Sequence, residues 1–337
     1  MKHRCSTRRT FAHKLLAFAG LLSAATFACA QGLTPQTPAQ EYIHVNGHVF
    51  AVENYGKFDR VVVGYDVPTN GSNSLWALNT YQQPYLHSTT NQNWQRVTGP
   101  NLAQVSLAQL SVGHSDCAWG LDSSGNIYDW SPTSGVFTQV GGTLAQIAVG
   151  NDCDVWGVNG ADSVYHYTGN TFNLVSGSLA QIAVGASNYV WGLNSSGNAY
   201  RWNGSSLAPV SAGATLAQIS VGQDGDAWAL TSAGAIYHCA LNCSSFSSVS
   251  GALSQISVNS AGSVWGLNSS GNIYYYSSSS GWVQTSGTLS QIAAGKLVAY
   301  GLNGFDLMYG DANGGGWTTL SETLSWLGRF LVTGIWV

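Results

Sequence analysis

Apolar and polar positions along the chain follow a pattern that repeats at a nearly fixed interval. Each repeat opens with an apolar heptapeptide such as LAQIAVG, and in most copies a tryptophan follows twelve positions after the leading leucine. The clear copies begin 35 to 37 residues apart, at Leu107, Leu144, Leu179, Leu216, Leu253 and Leu289. Short apolar runs separated by turns of the Ser-Ser-Gly-Asn type predict β-strands joined by tight hairpins, because Gly and Asn tolerate positive φ angles.

Each repeat has room for four strands. The heptapeptide and the tryptophan segment supply the first two strands, and a segment with a recurring tyrosine supplies the third. The fourth begins with an aromatic residue in most repeats. Four short strands per repeat correspond to one blade of a β-propeller. The pattern therefore predicts an all-β chain folded as a propeller of four-stranded blades.

Two weaker units extend the repeat array at its ends. Residues 58–64 read FDRVVVG and precede Trp76, and Leu324 lies twelve residues before Trp336. These units raise the predicted number of blades to eight, with six or seven as alternatives. The last unit stops after two strands, so we expect the N-terminal hairpin that turns at Gly47 to pair with it. Such pairing of N- and C-terminal strands would close the ring and remove two exposed strand edges.

The first 30 residues have the features of a secretory signal peptide. Basic residues precede an apolar stretch over 15–27, and small residues around Cys29 fit a cleavage site. The sequence predicts a signal peptide over 1–30, a linker over 31–40 and one propeller domain over 41–337. A secreted location follows, whether extracellular, periplasmic or at the cell surface, and a lipid anchor on Cys29 is the alternative to plain cleavage.

Removal of the signal peptide leaves an acidic chain. The whole sequence has 11 Lys and Arg against 15 Asp and Glu, and five of the basic residues lie in the first 30 positions. The net charge after cleavage is therefore about −9, whereas nucleic-acid binding needs a basic surface that neutralises phosphates. We expect no nucleic-acid partner. Since no later apolar run is long enough to span a bilayer, we also expect no membrane insertion.

Four cysteines remain after the signal peptide, and an even number in an exported chain predicts disulfides. Cys239 and Cys243 are close enough in sequence to bridge a local loop. Cys117 and Cys153 occupy nearly equivalent positions in adjacent repeats, which predicts a bridge between neighbouring blades. We predict no metal site, because these spacings do not match those of zinc-binding motifs.

The repeat resembles the tectonin β-propeller repeat. The resemblance rests on L-A-Q-I-[SA]-V-G, V-W-G-[LV]-N and S-S-G-N-I-Y in register, and it covers nearly all of the chain after the signal peptide. Tectonin-type propellers include lectins that bind surface glycans as well as scaffolds. The resemblance therefore implies a glycan-binding lectin with repeated weak sites, or alternatively a non-catalytic scaffold that binds a protein partner.

The repeated tryptophans and glutamines each allow a structural interpretation. A tryptophan in every blade can stack on sugars, but its small and aliphatic neighbours favour packing between blades. The repeated glutamines are expected to be buried amides that bond backbone groups of adjacent blades. They are Gln109, Gln146, Gln181, Gln218, Gln255 and Gln291.

Binding residues are expected where the repeats differ, in the loops between the heptapeptide and the tryptophan strand. Short polar side chains there suit the recognition of hydroxyl groups, because Asn and Asp can bond vicinal hydroxyls. Formation of the turns themselves explains the same residues equally well. The candidate glycan-binding residues are His114, Asp116, Asn151, Asp152, Asn188, Tyr189, Gln223 and Asp224.

Catalysis is the less favoured interpretation of the sequence. Glycosidases use two carboxylates that flank the scissile bond, and the only glutamates are Glu41, Glu53 and Glu322, all near edges of the repeat array. We therefore predict a protein that is not an enzyme and uses no cofactor.

Overall fold

The structure is a computed structural model that describes residues 39–45, 48–55, 57–64, 74–88, 93–260, 262–296, 298–304, 306–311 and 317–319. These residues form strands, turns and one short 3-10 helix, Pro100–Leu102, so the predicted all-β class is confirmed. The predicted signal peptide lies outside the described residues. A first compact unit contains an antiparallel hairpin of β1 (Ala39–Val45) and β2 (His48–Tyr55), and a second unit begins at Phe58.

Within the described residues, the second unit contains seven four-stranded antiparallel sheets, numbered 1 to 7 here in chain order. The first strands of the sheets are β3 (Phe58–Gly64), β7 (Gln109–His114), β11 (Gln146–Val149), β15 (Gln181–Val184), β19 (Gln218–Val221), β23 (Gln255–Ser260) and β27 (Gln291–Ala294). The second strands are β4 (Ser74–Asn79), β8 (Cys117–Leu121), β12 (Val155–Val158), β16 (Val190–Leu193), β20 (Ala227–Leu230), β24 (Ser263–Leu267) and β28 (Val298–Asn303).

The remaining two strands of each sheet complete the predicted four-stranded blade. The third strands are β5 (Pro84–Ser88), β9 (Asn126–Ser131), β13 (Ser163–Thr168), β17 (Ala199–Trp202), β21 (Ala235–Cys239), β25 (Asn272–Ser277) and β29 (Asp306–Asp311). The fourth strands are β6 (Asn93–Arg96), β10 (Val136–Thr143), β14 (Thr171–Ser178), β18 (Leu207–Val210), β22 (Ser247–Ala252), β26 (Gly281–Thr288) and β30 (Trp317–Thr319).

The turn between the second and third strands has the chemistry that the sequence predicts. In sheet 4, Asn194 Oδ1 accepts hydrogen bonds from the backbone N–H groups of Ser196 and Asn198, at 3.1 and 2.9 Å. Gly197 in the same turn has a φ of 75°, a left-handed conformation that glycine adopts without steric strain. The side chain that opens the turn and the glycine inside it together fix the hairpin register.

Glutamine side chains connect the first strands of neighbouring sheets. Gln109 Oε1 accepts a hydrogen bond from the backbone N–H of Ile147 at 2.8 Å, and Gln146 Oε1 accepts one from Ile182 at 2.9 Å. Equivalent bonds to the next sheet are made by Gln181, Gln255 and Gln291. The prediction that these amides bond backbone groups between blades is therefore confirmed, but the glutamines are half-buried and not buried as expected.

The first strands line up in parallel as the inner strands of a ring. Between β7 and β11, Val149 N–H donates to Ser111 Oγ at 3.0 Å, with the same sequence offset as the bond from Ile147 N–H to Gln109 Oε1. Only parallel neighbouring strands allow two bonds with equal offsets. β27 in turn contacts β3, and Val61 N–H donates to Gln291 Oε1 at 2.8 Å. Sheet 7 is therefore the neighbour of sheet 1.

The number of blades differs from the first-choice prediction. Eight blades is wrong, because direct contact between sheets 7 and 1 leaves no place for another sheet between them; the alternative of seven agrees with the sheets observed. Closure by pairing of the terminal strands is not confirmed: β1 pairs with β2. The unit predicted at Leu324 and Trp336 lies outside the described residues.

The repeated tryptophans are buried between sheets. Trp119 lies 4.7 Å from the ring of Tyr167 in the next sheet, and Trp156 lies 5.1 Å from Trp202, both in edge-to-face geometry that aromatic pairs favour. At most 3% of the surface is exposed in any of Trp76, Trp119, Trp156, Trp191, Trp228 and Trp265. The packing interpretation is confirmed, and these indoles are not accessible to a ligand.

Both predicted disulfides are present. Cys117–Cys153 joins sheet 2 to sheet 3 with its Cα atoms 5.8 Å apart, and Cys239–Cys243 closes a loop after β21 with its Cα atoms 5.6 Å apart. Such bridges persist in oxidising compartments, so they fit an extracellular location. In the part of the chain that the structure describes, no helix could cross a membrane.

Candidate functional site

The turns that follow the inner strands gather at one end of the ring, because the inner strands run parallel. We call this end the inner-turn face; it comprises residues 114–116, 150–154, 185–189, 222–226 and 259–260. All eight predicted binding residues belong to it. The structure brings some of them into contact and leaves others apart.

His114 and Asp116 lie in the turn of sheet 2. The backbone N–H of Asp116 donates to His114 Nδ1 at 3.2 Å, and the Asp116 side chain is exposed. A ligand atom of His114 also lies within 4.8 Å of the sulfurs of Cys117 and Cys153. Because those two cysteines are joined in a disulfide, they cannot supply the thiolates that a metal ion would need.

Asp152 links the turns of sheets 3 and 4. Its Oδ2 accepts hydrogen bonds from the backbone N–H of Ser187, at 2.9 Å, and from the Ser187 hydroxyl. Burial raises the pKa of Asp152, but the hydrogen bonds from Ser187 and from nearby backbone N–H groups outweigh it and hold the pKa below its usual value. Asp152 is therefore a charged residue on the face that also fixes the turn.

Asn188, Tyr189 and Asp224 have different environments. The Asn188 side chain is exposed, whereas Tyr189 is half-buried against the core between sheets 4 and 5. A Cβ atom on Gly225 would lie 2.6 Å from the Tyr189 ring, so the ring fits closely beneath that turn. Asp224 Oδ1 accepts a hydrogen bond from Asp226 N–H at 3.4 Å. Asn188 is the most accessible of the three to a ligand.

Asn151 and Gln223 meet although they belong to the turns of sheets 3 and 5, between which sheet 4 lies. Asn151 Nδ2 donates to Gln223 Oε1 at 2.6 Å, although 72 residues separate the two in sequence. Both line a cavity of about 280 Å³ at the centre of the inner strands, together with Asn259. Sequence reasoning missed Asn259. The available signal was its departure from the pattern, since it replaces the glycine that ends the other heptapeptides.

Two sheets also contain a polar network that sequence reasoning missed. In sheet 3, Asp154 Oδ2 accepts the indole N–H of Trp156 at 2.7 Å, while Asp154 Oδ1 lies 2.6 Å from His166 Nε2. The imidazole of His166 stacks on the indole, 4.1 Å away. Sheet 5 repeats the arrangement with Asp226, Trp228 and His238. The signal was an aspartate two residues before the tryptophan and a histidine ten residues after it.

The comparisons with known proteins agree with this architecture. The tectonin domain family matches residues 62–167, 106–278 and 178–327 of the chain. The chain belongs to the tectonin domain family. This confirms the resemblance that the repeated motifs indicate, over most of the ring. No curated protein matches the chain in sequence.

Solved structures with a similar fold have little sequence in common with this tectonin chain. Human WBSCR16 has a TM-score of 0.54 at 10% identity, with 72% of this chain and 85% of that chain covered. Prp20p from Saccharomyces cerevisiae has a TM-score of 0.56 at 10% identity, with 80% and 87% covered. YCF48 bound to D1 peptide has a TM-score of 0.55 at 12% identity, with 85% and 98% covered. At these identities the likeness concerns the fold alone.

Proposed function

We propose that the protein is a secreted carbohydrate-binding protein whose weak sites lie on the inner-turn face. One observation carries the proposal: parallel inner strands place the polar turns of successive sheets side by side at one end of the ring. Amide and carboxylate groups such as those of Asn188 and Asp152 can bond paired hydroxyls of a sugar. Membership of the tectonin domain family supports this function.

Aromatic and polar groups at the seams between sheets add to the proposed binding surface. The side chains of His166 and His238 are 26% and 27% exposed, and each is held by an aspartate that belongs to an inner turn. Held side chains lose little conformational entropy when a ligand binds. A single turn offers few hydrogen bonds, so useful affinity would come from several turns that bind one multivalent surface.

The proposed location and the absence of catalysis follow the same reasoning. Two disulfides suit an exported protein, and the predicted signal peptide would direct export. We propose binding without turnover, so a bound glycan should be recovered unchanged after prolonged incubation with the protein.

A protein partner is the second candidate. Two of the similar structures concern protein binding by their own titles, which name Gsp1p and histones for Prp20p and a D1 peptide for YCF48. Such a partner would bind in the presence of free sugar, which separates this candidate from the first.

A glycan array probed with the labelled, signal-processed protein tests the proposal. We expect binding to a subset of glycans, competition by the soluble sugar, and several-fold weaker binding for Asn188→Ala. The matched control is Ser195→Ala, which removes an exposed polar side chain from a turn at the opposite end of the ring. Absence of binding to every glycan, together with capture of a protein that free sugar does not displace, would favour the second candidate.

A further inference from the structure

The axial cavity has a mostly polar accessible surface, with amide side chains at one end that we call its polar end. Its wall comes from inner strands all around the ring, with Val112, Val149, Val184, Val221 and Val258 among the lining residues. The polar end is formed by amides of the inner-turn face. Among the described residues, no titratable side chain lines the cavity, so the site has hydrogen-bonding groups but no formal charge.

Backbone contacts between sheets bring three amides to this end. Asn151 N–H donates to Gly185 O at 2.9 Å, and Gln223 N–H donates to Asn259 O at 2.9 Å. These bonds hold Asn151 and Gln223 where their side chains meet at 2.6 Å, and they place Asn259 beside Gln223. The cluster is therefore fixed by the ring itself, which pre-organises it for a ligand.

Two of the amide oxygens in this cluster are buried and unpaired. Asn259 is 8% exposed, and neither Asn259 Oδ1 nor Asn151 Oδ1 has a hydrogen-bond partner in the part of the chain that the structure describes. A buried polar atom without a partner destabilises a protein, because it has lost its hydrogen bonds to water. A ligand that donates to these oxygens would remove that penalty. A 180° turn of the Asn259 amide presents NH₂ instead, so the site can both accept and donate.

Asn259 is not required by the architecture. The equivalent position is glycine in the other clear repeats, at Gly113, Gly150, Gly185, Gly222 and Gly295. Glycine at 259 would avoid the unpaired oxygen and keep the inner strand as it is elsewhere in the ring. An amide in its place is therefore better explained by a ligand than by packing.

We propose that the axial cavity binds one small, neutral, hydroxylated ligand, with its hydroxyl groups on Asn151, Gln223 and Asn259. Hydroxyls match groups that donate and accept, while an ion would lack a countercharge in this lining. A volume of about 280 Å³ lies just below the range of about 300–1,000 Å³ that is common for drug-sized ligands. A single sugar ring or a polyol fits this description. The site shares Asn151 and Gln223 with the inner-turn face of the proposed function but does not include exposed turn residues such as Asn188.

Titration of the full signal-processed chain with methyl glucoside, N-acetylglucosamine, inositol and glycerol, followed by ligand-observed NMR and calorimetry, tests this proposal. Comparison of the three cyclic probes with open-chain glycerol shows whether the site requires a ring or binds any polyol. We expect one equivalent of at least one probe to bind per chain. Asn259→Gly should weaken that binding at least ten-fold and leave the fold intact, because glycine is the residue at this position in the other repeats.

Ser195→Ala, which changes an exposed side chain at the opposite end of the ring, is the matched control and should leave the axial binding unchanged. If no probe binds the wild-type chain, or if Asn259→Gly binds equally well, the proposal is overturned and the amide oxygens are served by water alone. The two proposals fail separately: glycan-array binding can persist without an axial ligand, and an axial ligand can bind while the array shows nothing.

Discussion

The residue that lies opposite each buried tryptophan on the third strand differs from sheet to sheet. The register pairs Trp156 with His166 and Trp228 with His238, and both imidazoles have an aspartate partner. Arg201 instead lies 5.3 Å from the ring of Trp191 and donates to Cys243 O at 3.2 Å. Of these side chains, the two imidazoles bond within their own sheet, whereas Arg201 bonds to the loop of the next sheet.

Asp129 occupies this position in sheet 2, opposite Trp119. It is half-buried, and within the described residues its carboxyl has no hydrogen-bond donor. Burial raises the pKa of Asp129 to about 6, above the value of about 3.9 for an unfolded chain. The folded state therefore binds the proton more tightly than the unfolded state, so the ionised form destabilises the fold.

Replacement of Asp129 by Asn should raise stability at neutral pH, because it removes a half-buried charge. We expect a gain of roughly 1 kcal/mol or less at pH 8, discounted for the exposure of the side chain. The gain should shrink as the pH falls from about 6 to about 4 and vanish below that. Urea denaturation across this pH range measures it, with Asp122→Asn as control.

Asp122 is the reverse case. Burial raises its pKa, but hydrogen bonds from Asn126, Ser124 and Tyr128 hold the pKa low, so its replacement should lower stability at pH 8. A gain for Asp129→Asn that is independent of pH would contradict this account.

Local chemistry at this scale could be predicted from the sequence, and contacts between distant repeats could not. Gln146 was recognisable as an amide between blades because it repeats at a fixed position in an apolar strand. The loop position of Asn151 predicts a binding residue, but its partner Gln223 lies 72 residues away. Their meeting depends on how sheets 3, 4 and 5 pack side by side, and the role of Asn259 becomes visible only once the cavity is known.

At the scale of strands, the inner strands are held together by a small set of side-chain bonds. Gln146 makes two of them to Ile182: its Oε1 accepts from the Ile182 backbone N–H at 2.9 Å, and its Nε2 donates to the Ile182 carbonyl at 3.2 Å. These bonds replace the backbone ladder that a continuous sheet would have, since adjacent inner strands belong to different sheets.

Replacement of Gln146 by Ala should destabilise the ring, because it leaves the Ile182 N–H without a partner. An unpaired buried donor costs about 1–3 kcal/mol, and urea denaturation should show a loss of this size. Gln139→Ala is the matched control, since Gln139 is exposed on β10, and it should change stability by less than about 0.5 kcal/mol. Equal effects of the two variants would show that the inter-sheet bond contributes little.

Glycine at the end of an inner strand allows adjacent sheets to approach closely. A Cβ atom on Gly185 would overlap the carbonyl oxygen of Gly222. Gly185→Ala should therefore destabilise the protein by about 1–3 kcal/mol or more and lower its melting temperature. The control is Gly160→Ala, where a Cβ atom meets no atom within 4 Å. Thermal unfolding of both variants checks the difference, and an undisturbed Gly185→Ala would refute the close approach.

At the scale of the whole molecule, the repeat spacing predicted the blade but not the number of blades. The heptapeptide and FDRVVVG together identify the seven inner strands. Leu324 and Trp336 have the spacing of a further unit, yet spacing alone cannot show whether a unit joins the ring. The contact of β27 with β3 fixes the number of blades. This contact depends on the curvature that every sheet adds to the ring, which no single repeat encodes.

The location of the candidate residues at one end of the ring could be predicted from the sequence, but their individual roles could not. All eight predicted residues lie on the inner-turn face, because loops between the first two strands of parallel blades must share one end. Which of them bind a ligand is a separate matter, since Asp152 and Gln223 are already engaged in contacts between sheets. The same polar residue types both fix turns and recognise hydroxyl groups, so residue type alone does not separate the two roles.

Hydrogen–deuterium exchange with and without the glycan that binds best on the array tests the central claim most directly. We predict protection in the turns at 114–116, 151–154, 186–189 and 223–226, with no change in the opposite-end turns at 122–125 and 194–197. Protection confined to the opposite end, or none at a saturating glycan concentration, would contradict carbohydrate binding at the inner-turn face.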